Sequence, residues 1–214
     1  EKGSARTRMR KKTDAFMHEH GRKVADIATW SRVPLAIAVA GAILVDKRKL
    51  ARRLHLVALA SDGIDGWASR KSKNGGTING GKLDNRIDKF YTFTIQSALT
   101  VTGDASPKHL ALITARDITM NNITRPFFEK NGIDDTSAVL SSKASTIAVS
   151  AAQYFAMTER AGRHPVLNEG VQTLATGAKV ISLFESPFAW KRRQRRREYA
   201  QNRFEEAKAK PLAA

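Results

Sequence analysis

Ser61-Asp62-Gly63-Ile64-Asp65-Gly66-Trp67-Ala68-Ser69-Arg70 and, beyond a glycine-bearing loop, Gly80-Gly81-Lys82-Leu83-Asp84-Asn85-Arg86-Ile87-Asp88-Lys89 are the stretches on which the reading of this chain turns. On a helix, residues three and four apart share a face, so Asp62, Asp65 and Ser69 or Arg70 line one side of one helix. Asp84 and Asp88 line one side of the next. An antiparallel pairing of these helices concentrates four carboxylates in a small volume, an arrangement that repels itself without cations. Hard divalent ions such as Mg2+ or Mn2+ answer that repulsion, because they prefer oxygen ligands and keep positions open for phosphates. The chain has no Cys, so thiolate sites and disulfides are excluded. Two ions about 3.5–4 Å apart clamp a diphosphate and stabilise both the attacking and the leaving oxygen of an in-line displacement. Gly66 removes a side chain where a nucleotide can press against the helix, and Arg70 offers a planar donor fork for phosphate.

Working outward, Val33 to Val45 is the longest strongly apolar run, and with Ala28 to Arg32 before it the run approaches the roughly 20-residue length of a membrane helix. Further helical segments are expected near 53–70, 83–103, 108–131, 136–158 and 165–190, separated by turn chemistry at Gly103 to Pro107, Asn131 to Asp135 and Ala161 to Pro165. The total is six helices, an all-α arrangement. Gly75, Gly76, Gly80 and Gly81 are expected in a loop. The net charge of +17 is concentrated in two clusters, Arg6 to Lys12 and Lys191 to Arg197. Such clusters beside an anionic membrane face place both termini in the cytoplasm and require an even number of crossings. Residues 1–24 are expected as a basic juxtamembrane segment, 25–190 as the helical domain and 191–214 as a basic cytoplasmic tail. The first two dozen residues are polar and charged, so no cleavable signal peptide is expected.

Composition argues in the other direction. The mean hydropathy is −0.38, low for six spans. Arg32, Arg116, Asp117, Lys143, Glu169 and Lys179 fall inside the proposed segments, where an ionisable group costs several kcal/mol unless it faces a cavity. By pattern alone a soluble basic helical bundle that binds nucleic acid accounts for charge and hydropathy, but it leaves the carboxylate array unexplained. A prenyl-type transferase also uses Mg2+ and aspartates on helices, but it gives no reason for Gly66, Arg70 and Gly80.

The aspartate stretches resemble the CDP-alcohol phosphatidyltransferases, whose pattern runs D-x2-D-G-x2-A-R, a spacer of about eight, then G-x3-D-x3-D. The match passes through Asp62, Asp65, Gly66, Arg70, Gly80, Asp84 and Asp88, seven positions within 27 residues. Ser69 stands where the pattern has Ala, and the spacer is one residue long; a small side chain and an added loop residue are both inexpensive. The resemblance implies an all-α, six-helix transmembrane bundle with a polar active-site cavity facing the cytoplasm, usually a homodimer, embedded among membrane lipids and without nucleic acid as a partner. Asp62, Asp65 and Asp84 are implied as metal ligands. Asp88 is implied as a shared ligand and as the base that takes the proton from the acceptor hydroxyl. Asp62, Gly66, Ser69, Arg70 and Gly80 are implied to hold the CDP part of CDP-diacylglycerol, with CMP as the leaving group.

A second resemblance concerns the acceptor. Ala115-Arg116-Asp117, the later Arg125, and Ser142-Lys143-Ala144-Ser145-Thr146 look like segments of phosphatidylglycerophosphate synthases that read A-R-E, R and G-K-x-K-T, and Thr29 with Arg32 matches a T-x-x-R in their first span. It implies that Arg116, Arg125 and Lys143 bind the phosphate of a small alcohol phosphate, glycerol 3-phosphate being the best fit and inositol phosphate the alternative. The competing reading of these three cations is pairing with carboxylates or snorkelling to the membrane interface.

Overall fold

The computed structural model describes the backbone of residues 2–71, 78–133 and 140–209, with side chains described apart from those of 1–19, 22, 64–82, 134–140, 159–160 and 203–214. Among the described residues the regular structure is helical throughout: α1 (Lys2–Leu44), α2 (Arg48–Lys71), α3 (Ile78–Val101), α4 (Pro107–Ile118), a π-helical segment (Thr119–Thr124), α5 (Arg125–Lys130), α6 (Leu140–Ala156), α7 (Glu159–Arg163) and α8 (Pro165–Ala209). The six expected segments are helical over their described residues apart from a residue or two at their ends, 108–131 in three pieces, with 136–139 lying outside the described residues and α7 as an additional short helix. The two basic clusters are carried on the ends of long helices, Arg6 to Lys12 within α1 and Lys191 to Arg197 within α8.

Three helix ends use the same backbone device. After α1 the Lys47 amide donates to the Ala42 carbonyl at 2.8 Å and the Asp46 amide to Ile43 at 2.9 Å, while Asp46 takes a left-handed conformation at φ 56°. Gly103 after α3 and Gly132 after α5 repeat this pair of bonds, both at φ 79°. The motif satisfies the last carbonyls and reverses the chain in two residues. Asp46 fills the position a glycine usually takes; short Asx side chains tolerate it, and its carboxylate accepts from Arg48 Nε at 2.8 Å.

Two expectations are corrected here. Gly80 and Gly81 lie in the first turn of α3, because that helix begins at Ile78. First-turn amides have no intrahelical partner in any case, so glycine costs little there. The segment 108–131 is not one uniform helix but passes through the π-helical stretch. Pro126 supplies the reason: it cannot donate to the Asn122 carbonyl and its ring crowds that group, and the wider π turn relieves both.

The helices form two compact units, Glu1–Ser106 with Gln153–Asn168, and Pro107–Ala152 with Glu169–Ala214. In the first unit α1 packs against both α2 and α3. Its stripe Thr29, Arg32, Ala36, Val39 and Ile43 is buried, with α2 contributing Ala51, His55 and Ala58 and α3 contributing Tyr91, Ile95 and Leu99. Tyr91 Oη and His55 Nδ1 are 2.8 Å apart, and Gln153 donates to the Thr92 carbonyl at 3.0 Å. In the second unit the apolar contacts are Ile113, Val149, Ala152 and Ala175, and separately Met120, Ile133 and Trp190 with Phe128 edge-on to the indole.

The partition of side chains is unusual for a chain in water. Gln96, Gln153, Gln172 and Ser182 are at most 2% exposed, whereas Ile37, Phe184 and Phe188 are at least 60% exposed. Among the described residues one segment, Lys23–Leu44, is both long and apolar enough to cross a membrane by length and composition.

The left-handed turn after α3 makes a direct test. Gly103→Ala forces a Cβ into that conformation and is expected to lower stability by about 1 kcal/mol, measured as a drop in the thermal unfolding midpoint of the detergent-purified chain.

Candidate metal centre

The apolar stripes of the first unit run into polar residues without a change of period. On α2, Ala51, His55 and Ala58 are followed by Asp62; on α3, Leu99, Ile95 and Tyr91 are preceded by Asp88 and Asp84; on α1, Ile43, Val39 and Ala36 are preceded by Arg32 and Thr29. Because spacings of three and four keep one face, the packing that buries the apolar part of each stripe also carries its polar end to a common place. Asp62, Asp84 and Asp88 meet there, each offering a carboxylate oxygen, and these oxygens lie within 4.8 Å of one another.

Arg32 sits among them. Its side chain is 3% exposed, while those of Asp62, Asp84 and Asp88 are 53%, 39% and 35% exposed. Nη1 donates to Asp62 Oδ1 at 2.9 Å and also to Asp88 Oδ1, and Nη2 donates to Asp84 Oδ1. The Thr29 hydroxyl, one turn earlier on α1, lies 3.4 Å from Nη2. Asp62 of α2 thus meets Asp84 and Asp88 of α3 as the spacing predicts, and α1, which packs against both helices, adds an arginine that joins their carboxylates. Charge-assisted bonds of this kind are stronger than neutral ones and fix the carboxylate rotamers.

The donor set suits a hard divalent cation: it consists of carboxylate oxygens, their separations allow a shared ion, and the chain has no thiolate. Asp65, Gly66, Ser69, Arg70 and Gly80, the remaining motif residues, lie outside the residues whose side chains are described.

The three cations assigned to the acceptor belong to the second unit and differ in setting. Arg116 is buried, donating from Nη1 to Asp117 at 2.7 Å and from Nη2 to the hydroxyls of Ser182 at 2.7 Å and Ser142 at 3.2 Å. Arg125 is half-buried, within electrostatic range of Arg116, Asp117 and Glu129, and Lys143 is exposed. Among the described residues, the Nε atoms of Arg116 and Arg125 are buried without a hydrogen-bond partner. Lys179 on α8, only 4% exposed, joins this network by donating to Thr146 Oγ1 at 3.0 Å and lies 4.0 Å from Asp117. Carboxylate pairing, the competing reading of the three cations, therefore applies to Arg116.

Two residues at these places carry no role in the sequence reading. Arg32 has a detectable signal, since it falls on the same three-and-four spacing as Ala36, Val39 and Ile43 and so faces the core. Lys179 carries the same kind of signal, falling on the spacing of Gln172, Ala175, Thr176, Ser182 and Ser186, the buried face of α8.

Comparison with known proteins agrees with the motif. The profile of the CDP-alcohol phosphatidyltransferase family matches residues 22–184, a span that contains Arg32, the aspartates of the motif, and Arg116, Arg125, Lys143 and Lys179. No curated protein and no solved structure matches the chain. Members of this family are membrane proteins and generally depend on divalent metal ions. The chain belongs to the CDP-alcohol phosphatidyltransferase family, enzymes that transfer a phosphatidyl group from a CDP-alcohol to an acceptor.

Proposed function

We propose that this enzyme transfers the phosphatidyl group of CDP-diacylglycerol to glycerol 3-phosphate, releasing CMP. The observation that carries the reading is the convergence of Asp62, Asp84 and Asp88 from two helices. Together with Asp65 they are the ligands for Mg2+ or Mn2+, ions that neutralise a bound diphosphate and stabilise the charge developing on it. Gly66, Ser69, Arg70 and Gly80 hold the CDP part with Asp62. Asp88 accepts the proton of the acceptor hydroxyl as its oxygen attacks the lipid-linked phosphorus. The bond from that phosphorus to the bridging oxygen breaks, and the electron pair leaves with CMP.

Arg116, Arg125 and Lys143 bind the acceptor's phosphate in this reading. Support comes from the Nε donors of Arg116 and Arg125, buried without a hydrogen-bond partner among the described residues, and from the buried Lys179 beside Asp117. A phosphate oxygen is an acceptor suited to such donors.

Residues 25–190 form the catalytic domain, six helices crossing the cytoplasmic membrane, with 1–24 and 191–214 as basic segments on the cytoplasmic side and a homodimer as the working unit. The outward apolar and inward polar partition favours such a setting. A lipid surround leaves Phe184 and Phe188 in an apolar medium and Gln96, Gln153 and Ser182 with protein partners. The low mean hydropathy is then the average of two faces, and charges such as Arg32 and Arg116 lie on the inner one.

CMP release from CDP-diacylglycerol is expected to fall at least about a hundredfold in chelator and to return with Mg2+ or Mn2+; undiminished turnover in chelator sinks the metal assignment. Asp88→Asn is expected to lose about 10^2–10^4-fold in kcat while equilibrium binding of CDP stays near that of the parent; a fully active variant refutes the base. In a CMP-release panel of glycerol 3-phosphate, inositol phosphate, serine and inositol, glycerol 3-phosphate should be preferred. Arg125→Gln should raise its KM by about tenfold, the worth of one charge-assisted contact, with the KM for CDP-diacylglycerol unchanged.

A further inference from the structure

Arg32 is an anomaly for a metal site. It takes one oxygen of each carboxylate in the candidate set: Nη1 lies on Oδ1 of both Asp62 and Asp88, and Nη2 on Oδ1 of Asp84. A divalent ion of this class binds such oxygens at about 2.0–2.2 Å. A guanidinium and a divalent ion cannot share one oxygen at that distance, and on neighbouring oxygens of the same carboxylates their charges repel, so the two compete for this cluster. The arginine is also not a solvated bystander. It is 2% exposed, it lies on the buried stripe of α1, and its partners are more exposed than it is.

We propose that Arg32 is a resident counter-cation of the aspartate site: without metal its guanidinium neutralises Asp62, Asp84 and Asp88, and it gives up those oxygens when divalent ions bind. The proposal rests on the assignment of the aspartates as metal ligands. The exchange fits the chemistry of the two partners. The cation is carried on a long side chain that can swing while α1 stays packed, and the Thr29 hydroxyl one turn away accepts from Nη2. Charge arithmetic favours release as well. Four motif aspartates are balanced by two divalent ions, which leaves the guanidinium surplus and available to an anionic group of the substrate. Arg32 is therefore a positioning residue, acting on the reaction through the carboxylates it holds.

Its sign separates this role from that of a structural brace. A counter-cation competes with metal, so removing it tightens metal binding; a brace orients the ligands, so removing it weakens metal binding. The test uses the full chain in detergent, stripped with chelator, as wild type, Arg32→Lys and Arg32→Gln. Mn2+ binding is followed by the electron paramagnetic resonance signal of the free ion, and thermal unfolding is followed with and without Mn2+. Arg32→Gln is expected to bind Mn2+ at least about tenfold more tightly than wild type, about 1.4 kcal/mol. Arg32→Lys, whose compact ammonium replaces a planar fork, should fall between them. In chelator the unfolding midpoint should drop in the order wild type, Lys, Gln, and Mn2+ should raise it most in Arg32→Gln. If Arg32→Gln does not survive chelator, Arg32→Lys decides by the same sign. Equal or weaker Mn2+ binding by the variants, with wild type binding, overturns the role of Arg32 alone. No Mn2+ binding by any of the three overturns the assignment of the aspartates as metal ligands.

Discussion

Carboxylates carried by separate helices do not gather within 4.8 Å of one another unaided. At that distance each pair of unit charges repels by about 3–4 kcal/mol at an effective dielectric near 20, less where water screens it. Arg32 is the positive charge that makes the convergence of Asp62, Asp84 and Asp88 tolerable. The apolar stripes that pack α1, α2 and α3 lead directly into these four charged residues, so the packing of the helices brings the charges together. A stripe that ended in unneutralised aspartates would oppose the packing that its alanines and isoleucines favour. The interaction also explains why α1, which carries no motif aspartate, packs against both helices that do.

The second unit meets the same constraint by different means. A buried Arg116 next to a buried Lys179 is costly unless both are bonded, and Asp117, Ser142, Ser182 and Thr146 supply those bonds. Hydroxyls on α6 and α8 serve there as acceptors without adding negative charge. Buried polar groups of this number would be a poor investment for a small domain in water. Beside an apolar medium they are the natural arrangement, since polar side chains can find partners only on the inner faces of the helices.

The helices and the aspartate site were legible in the sequence because both are local. Turn residues at Gly103 and Gly132 end helices in the way their type demands, and Asp84 and Asp88 share a face by spacing alone. The turn at Asp46 was not legible, because an aspartate there announces a left-handed residue far less clearly than a glycine does. The π-helical stretch was missed although Pro126 marks it, since a proline predicts interruption without saying what form it takes. The meeting of α2 and α3 at their aspartates follows from the spacing, and what the reading left out is the α1 arginine among them. Four acidic residues on two helices imply a neutralising charge, and the reading supplied metal ions without asking whether the chain itself supplied one.

That omission has a physical lesson about arginine within an apolar run. Arg32 counts against a span when hydropathy is averaged over a window, because the average treats every position as facing the same medium. By position it belongs to the stripe Thr29, Ala36, Val39 and Ile43, while Ile27, Trp30 and Ile37 occupy the exposed side of the same helix. An arginine on the inner stripe needs carboxylates within its reach, about the length of its own side chain, and the sequence holds two helices whose inner stripes end in aspartate. The charge that weakens the membrane reading of α1 is thus the same charge that identifies which face of α1 meets α2 and α3.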